Sequence, residues 1–263
     1  MALDFKKLEN LKVQSTTNIK GGDFNKVIIT GNAYFEGDIS CKNFLSKGSC
    51  NSKGNIEGKN IVINGKASID GNIKGKTAKL QGIIATKGNV DVEDLIIGGK
   101  VSIEKDLICK NFNLPGVGSI EGNINSECVY ISGASHVKKD INTDIFVLSG
   151  GIVHEGMLNA QDVSITLGSK SKINNIKCEK INIKKPENTS KLFSRLLKKL
   201  VKNEVSIECK KIEGKKIYLE NTKADLVRGK VVVIGEGCNI KKVEYEEEFK
   251  VIQNGKVVNN IKI

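Results

Sequence analysis

A triangular parallel β-solenoid with one short inserted amphipathic α-helix is the fold class predicted by this sequence, and three observations in its 263 residues carry the prediction. Glycine recurs at every seventeenth position, at Gly31, Gly48, Gly65, Gly82, Gly99, Gly116, Gly133 and Gly150. In blocks of that length counted from Lys26, two columns stay apolar almost without exception. Position 4 holds Ile29, Ser46, Ile63, Leu80, Ile97, Leu114, Ile131 and Leu148, and position 14 holds Ile39, Ile56, Ile73, Val90, Leu107, Ile124, Ile141 and Leu158. Apolar or small residues also favour positions 2 and 4, 8 and 10, and 14 and 16, which is a period of two in three short segments per block.

Period-two alternation over three to five residues reads as a short strand, and glycine at positions 6 and 12 is expected to supply corner conformations that side chains disfavour. Three strands and three corners close one triangular coil of about 17 residues. Stacked coils pair each strand in parallel with its equivalent one turn away, at about 4.8 Å. Position 16 carries Cys41, Gly58, Gly75, Val92, Cys109, Ser126, Thr143 and Ala160, small residues where two sides converge. An α-helical solenoid is excluded, because so short a block cannot hold two helices and their turns.

In chain order, residues 1–25 are expected to be a tail or a cap on the first coil, with Leu8, Leu11 and Val13 available to cover it. Residues 26–183 form the regular β-helix, with a ninth coil over 162–179 that has one residue extra. Over 184–203 the period changes. After Pro186 and the candidate caps Asn188, Thr189 and Ser190, the apolar residues Leu192, Phe193, Leu196, Leu197, Leu200 and Val201 follow helical spacing. Lys191, Arg195, Lys198, Lys199 and Lys202 make the opposite face basic. So short a helix is not stable alone in water, so its apolar face needs a partner. Either it packs as a lid on a side of the solenoid or it lies on anionic lipid. Residues 204–263 resume the β-helix and end in two full blocks, for about twelve coils in all.

The formal charge of +12 is concentrated. Between Lys184 and Lys216 there are eleven basic and four acidic residues, +7 of the total in one-eighth of the chain. Without aromatic interleaving or a known module this does not point to nucleic acid. No segment reaches the roughly 18 apolar residues of a membrane span, and the first residues lack the apolar core of a signal peptide, so a cytoplasmic protein is expected. The seven cysteines, Cys41, Cys50, Cys109, Cys128, Cys178, Cys209 and Cys238, form no CxxC pair and read as free thiols in core or corner positions. His136 falls at an outward position and His154 at an inward one, and neither has an acidic or nucleophilic neighbour in a recurring register. The glycines make no phosphate loop, and the acids are dispersed corner residues such as Glu36, Asp38, Asp70 and Glu121. No catalytic residue, cofactor or metal site is therefore expected.

The repeated V-x-I-x-G-x-x-x-x-x-G-x-I pattern, seen from Val27 to Ile39 and from Ile61 to Ile73, resembles the bactofilins, the bacterial polymer-forming cytoskeletal proteins. Ile217 to Gly229, Val233 to Cys238 and Val243 to Tyr245 look like a longer branch of that family. The resemblance covers about residues 20–263 and implies a right-handed β-helix whose subunits join end to end into non-polar, nucleotide-independent filaments, often on the membrane. Extra coils, the basic insertion and the lack of a Pro-rich tail depart from the compact family pattern. The expected function is thus a non-enzymatic scaffold whose main partner is itself, with an anionic membrane surface on the inner face of the cell membrane and cell-shape machinery as further partners. The alternative is a monomeric β-helix enzyme, acyltransferase- or polysaccharide-lyase-like, or a capped binding scaffold. An open terminal edge with apolar neighbours invites association, and Phe249, Val251, Val257, Ile261 and Ile263 are the candidate polymerisation surface.

Overall fold

Strand after strand pairs in parallel with the one a turn away, as in-register repetition of inward residues requires. The computed structural model describes residues 8–186 and 205–263. Together they make about 14 turns of all-β parallel solenoid, divided into two compact units, Met1–Lys138 and Lys139–Ile263.

In the first unit, eight-residue strands alternate with four-residue strands, as in Ile56–Ile63, Lys66–Ile69, Ile73–Leu80 and Ile83–Thr86. Paired residues stand one repeat apart in sequence, Ile56 opposite Ile73 and Lys66 opposite Ile83. Within an eight-residue strand the inward alternation changes phase partway along. In Val90–Ile97 the inward residues are Val90 and Val92, then Leu95 and Ile97, so alternation slips by one between them. The ladder to the preceding turn is interrupted at Glu93, passing from Val92–Gly75 to Asp94–Thr77 with its register unchanged. A bend in the turn lies there.

Positions 2, 4 and 14 are closed: Val27, Phe44, Ile61, Leu95, Phe112 and Val129 join the two predicted columns at essentially no exposure. Residues 10–25 form a turn of their own, with Asn10 opposite Lys26 and Thr16 opposite Asn32. The expected tail or cap therefore begins as strand at Asn10. A spacing shorter by one than the repeat took this turn out of the glycine register, and its Thr-Thr-Asn-Ile strand carries little apolar signal.

The corner glycines are needed for a different reason from the one their sequence position suggests. Left-handed glycines among the described residues are Gly21, Gly22 and Gly237, and none belongs to the position-6 column. A Cβ on Gly65 would instead fall on the carbonyl oxygen of Gly48, and one on Gly82 on that of Gly65. Adjacent turns simply approach too closely there for a side chain. Position 13 adds a ladder of short amides and carboxylates. Asn55 donates its backbone N–H to Asp38 Oδ1 at 2.7 Å, Asn72 to Asn55 at 2.8 Å, Asn89 to Asn72 at 2.7 Å, and Asn123 to Asp106 at 2.7 Å. Each side chain satisfies the backbone of the next turn.

The second unit keeps its inward column while varying turn length. Ile141, Leu158, Ile176, Ile212, Val227, Val243 and Asn260 follow one another at spacings of 17, 18, 36, 15, 16 and 17. The long step from Ile176 to Ile212 is one ordinary turn plus the segment 187–204, so register resumes with Ile183 opposite Leu219. Short turns here, with the extra turn at the start, explain why about 14 turns stand where about twelve were expected. There is no helix among the described residues. The helical insertion expected over 184–203, with Leu192, Phe193, Leu196, Leu197, Lys198, Lys199, Leu200 and Val201, lies outside them from residue 187 onward.

Two contrasts test this architecture. Ile97 is fully buried and Ile96 is 38% exposed. Ile97→Asp should therefore cost several kcal/mol in denaturant unfolding, through an unpaired charge in the core, and Ile96→Asp far less. Gly82→Ala drives a Cβ into backbone and should destabilise by about 1–3 kcal/mol. Gly98→Ala meets only the flexible Gln81 side chain, at 3.6 Å, and should be neutral or slightly stabilising.

Candidate interaction surface at the last turn

The last two strands, Asn239–Val251 and Lys256–Lys262, are joined by a tight connection in which Gln253 has a left-handed φ of 56°. Asn239 lies opposite Lys256, Ile240 opposite Val257 and Tyr245 opposite Lys262. Among the described residues the last strand has a ladder on this side alone. Its other edge presents unpaired N–H and C=O groups, the usual template for strand addition.

Three of the five candidate residues come together here as the terminal layer of the core. Phe249 lies opposite Val232, Val251 opposite Ile234 and Val257 opposite Ile240. Those underlying residues are completely buried, whereas Val251 is 44% exposed and Phe249 and Val257 are half-buried. Among the described residues, no strand pairs on the far side of Phe249 and Val251. Ile261 is not part of this layer: it continues the outward column Glu213, Arg228, Glu244. Ile263 is held by its N–H on the carbonyl of Tyr245 at 2.9 Å and is 58% exposed. The residue that continues the core column below Val243 is Asn260, a polar terminus to an apolar stack.

Two features of this end escaped the sequence reading. Tyr245 stacks on Phe249 with ring centroids 5.3 Å apart. It occupies the column that elsewhere holds the small residues Cys178, Gly214 and Gly229, and that break in the column was a readable signal. Beside it, Arg228 donates from Nε and Nη2 to Glu244 Oε2 at 2.5 Å, and Lys242 reaches Glu244 Oε1 at 2.8 Å. Lys242 and Arg228 hold the Glu244 carboxyl below its usual pKa. The three charges fix the corner that carries Tyr245.

The cysteines sit where small side chains are needed. All seven are free; Cys128 is half-buried and the other six are buried. Burial pushes the Cys41, Cys50, Cys178 and Cys209 thiols up to about 12, which leaves them protonated and unreactive at neutral pH. Among the described residues, no three His, Cys, Asp or Glu side chains are grouped so as to hold a metal ion. No described helix is long and apolar enough to cross a membrane.

His136 lies half-buried on an outward position of Ala134–Val137. His154 is fully buried, opposite Ile173, with Nε2 2.8 Å from the Lys139 carbonyl oxygen. Its Nδ1 has no partner among the described residues. Burial lowers its pKa, against smaller opposing effects of the Lys139 carbonyl, Asp140 and Glu155. The folded chain therefore refuses a proton that the unfolded chain accepts. Stability is complete above the unfolded pKa, about 6.5, and declines as pH falls from there through the lower folded value. Urea midpoints measured from pH 8 to pH 5 should fall in the acid range, and His154→Leu should remove that component of the fall.

No family model matches this chain, and no solved structure matches it. A stretch of 35 residues is 63% identical to the uncharacterized protein YhbF of Bacillus subtilis (strain 168). It covers 13% of this chain and 15% of that protein.

Proposed function

We propose that this chain is a structural protein that assembles through the ends of its β-solenoid, in the manner of the bactofilins, without nucleotide and without catalysis. One observation carries the reading: Phe249, Val251 and Val257 form an uncovered core layer over fully buried Val232, Ile234 and Ile240, beside an unpaired strand edge. Stacking another end on that layer would bury apolar area worth about 25 cal/mol per Å² and pair the open strand at the same time. A right-handed coil belongs to this proposal. So does a location in the cytoplasm, at the inner face of the membrane wherever the basic segment around Lys198 and Lys199 engages anionic lipid. The rival reading, a monomeric enzyme or capped scaffold, requires that both ends be blocked.

Electron microscopy of purified protein without nucleotide should show filaments. Phe249→Arg should abolish them while the variant unfolds cooperatively, because a charge in the terminal layer opposes stacking but remains solvated in the single chain. Persistent single chains at tens of micromolar across salt concentrations would overturn the proposal.

A further inference from the structure

One face of the C-terminal unit carries a charge pattern that is its own complement. Outward residues of three successive strands, Ile207–Leu219, Thr222–Ile234 and Asn239–Val251, form two parallel columns. The first runs Lys216, Val231, Glu248 and the second Tyr218, Val233, Lys250. Lys216 is exposed, has no carboxylate partner among the described residues, and lies directly opposite Lys180 in the preceding turn. Like charges side by side on adjacent strands are unfavourable unless something else satisfies them. At the far end of the same columns stands an acidic corner, with Glu246, Glu247 and Glu248 exposed at 50%, 61% and 46% of their side chains. Its neighbours Lys230 and Lys250 offset it only in part.

We propose that a second copy of this chain docks on this face, the two solenoid axes antiparallel and a two-fold axis running along Thr222–Ile234. That operation keeps strand direction and exchanges the flanking strands. Lys216 then faces the partner's Glu248, Tyr218 faces the partner's Lys250, and Val231 and Val233 meet their own equivalents. The contact is isologous, so each charge pair is made twice. The valines and the Tyr218 ring, over which Lys184 of the same chain already lies at 5.8 Å, supply an apolar centre to a charged rim. Asn182 lines the same groove with Lys180, Tyr218, Val231 and Val233, and its Oδ1 has no donor among the described residues.

The acidic corner argues against a nucleic acid or an anionic bilayer as the occupant, since either would bring its charge against Glu247 and Glu248. A patch three strands wide is well below a standard interface of about 800 Å² per partner, so the contact is weak and salt-sensitive in isolation. It does not depend on end-to-end assembly, and along a filament it would repeat and gain from multivalency.

Val233→Cys places a thiol beside the proposed axis, and mild oxidation at low salt should give a covalent dimer. End-to-end stacking would leave these thiols at least three strand spacings apart, about 14 Å, beyond a disulfide. In that background Lys216→Glu or Glu248→Lys should each lower the yield about five-fold, and the double reversal should restore it to within about two-fold. High salt should lower the yield of Val233→Cys alone. Absence of the dimer, or a yield indifferent to salt and to both single reversals, would overturn the proposal. So would failure of the folded double reversal to recover. A Glu248→Lys variant that cross-links less yet gains binding to anionic vesicles would support self-association, whereas a gain in both would favour the anionic surface and overturn it.

Discussion

Repetition at one strand spacing is the constraint on which everything else in this structure rests. Each residue in a turn has its counterpart about 4.8 Å above and below, so a side chain that fits one turn must also fit its own column. Branched aliphatics stack well under that rule and fill positions 2, 4 and 14. Amides stack by hydrogen-bonding forward, as Asn55, Asn72 and Asn89 do at the corner. At position 6 the turns come so close that no side chain is tolerated, and glycine remains.

The same rule governs charge. Position 11 of the first unit reads Glu36, Lys53, Asp70, Lys87, Glu104, Glu121, Lys138, and Lys87 meets Asp70 at 2.8 Å. These exposed pairs add little stability individually. Their value is in keeping the side of the sheet wet and resistant to lateral strand pairing. Like charges also stand side by side, as Glu104 and Glu121 do in that column and Lys180 and Lys216 do in the second unit, where the carboxylate in the column of Lys216, Glu248, lies two strands further along. A local conflict of that kind is resolved most simply by another molecule.

A solenoid also cannot close on itself. Among the described residues the last apolar layer has neighbours on one side alone, and Val251 above Ile234 is 44% exposed. Turn length, by contrast, is loosely constrained. The second unit tolerates spacings from 15 to 18, and one of 36, between paired residues, because a corner can lengthen without moving the inward columns that meet on either side of it.

The parallel β-solenoid, its inward columns and its buried thiols were legible in the sequence, since a period of 17 with alternating burial admits few other structures. Phe249, Val251 and Val257 were readable as apolar residues of the last block. Tertiary structure decided the rest. The turn at residues 10–25 was hidden by a one-residue change of period and by its threonines and asparagine. The reason for the corner glycines was hidden because closeness between turns leaves no mark that distinguishes it from a left-handed φ. Ile261 falls outside the terminal layer because it lies opposite Glu244 on an outward column, and Tyr245 stacks on Phe249 across the extra residue that a register shift between Gly229 and Val231 inserts between them. A bulge of that kind is set by how neighbouring turns pair, so it becomes visible only when those turns are side by side.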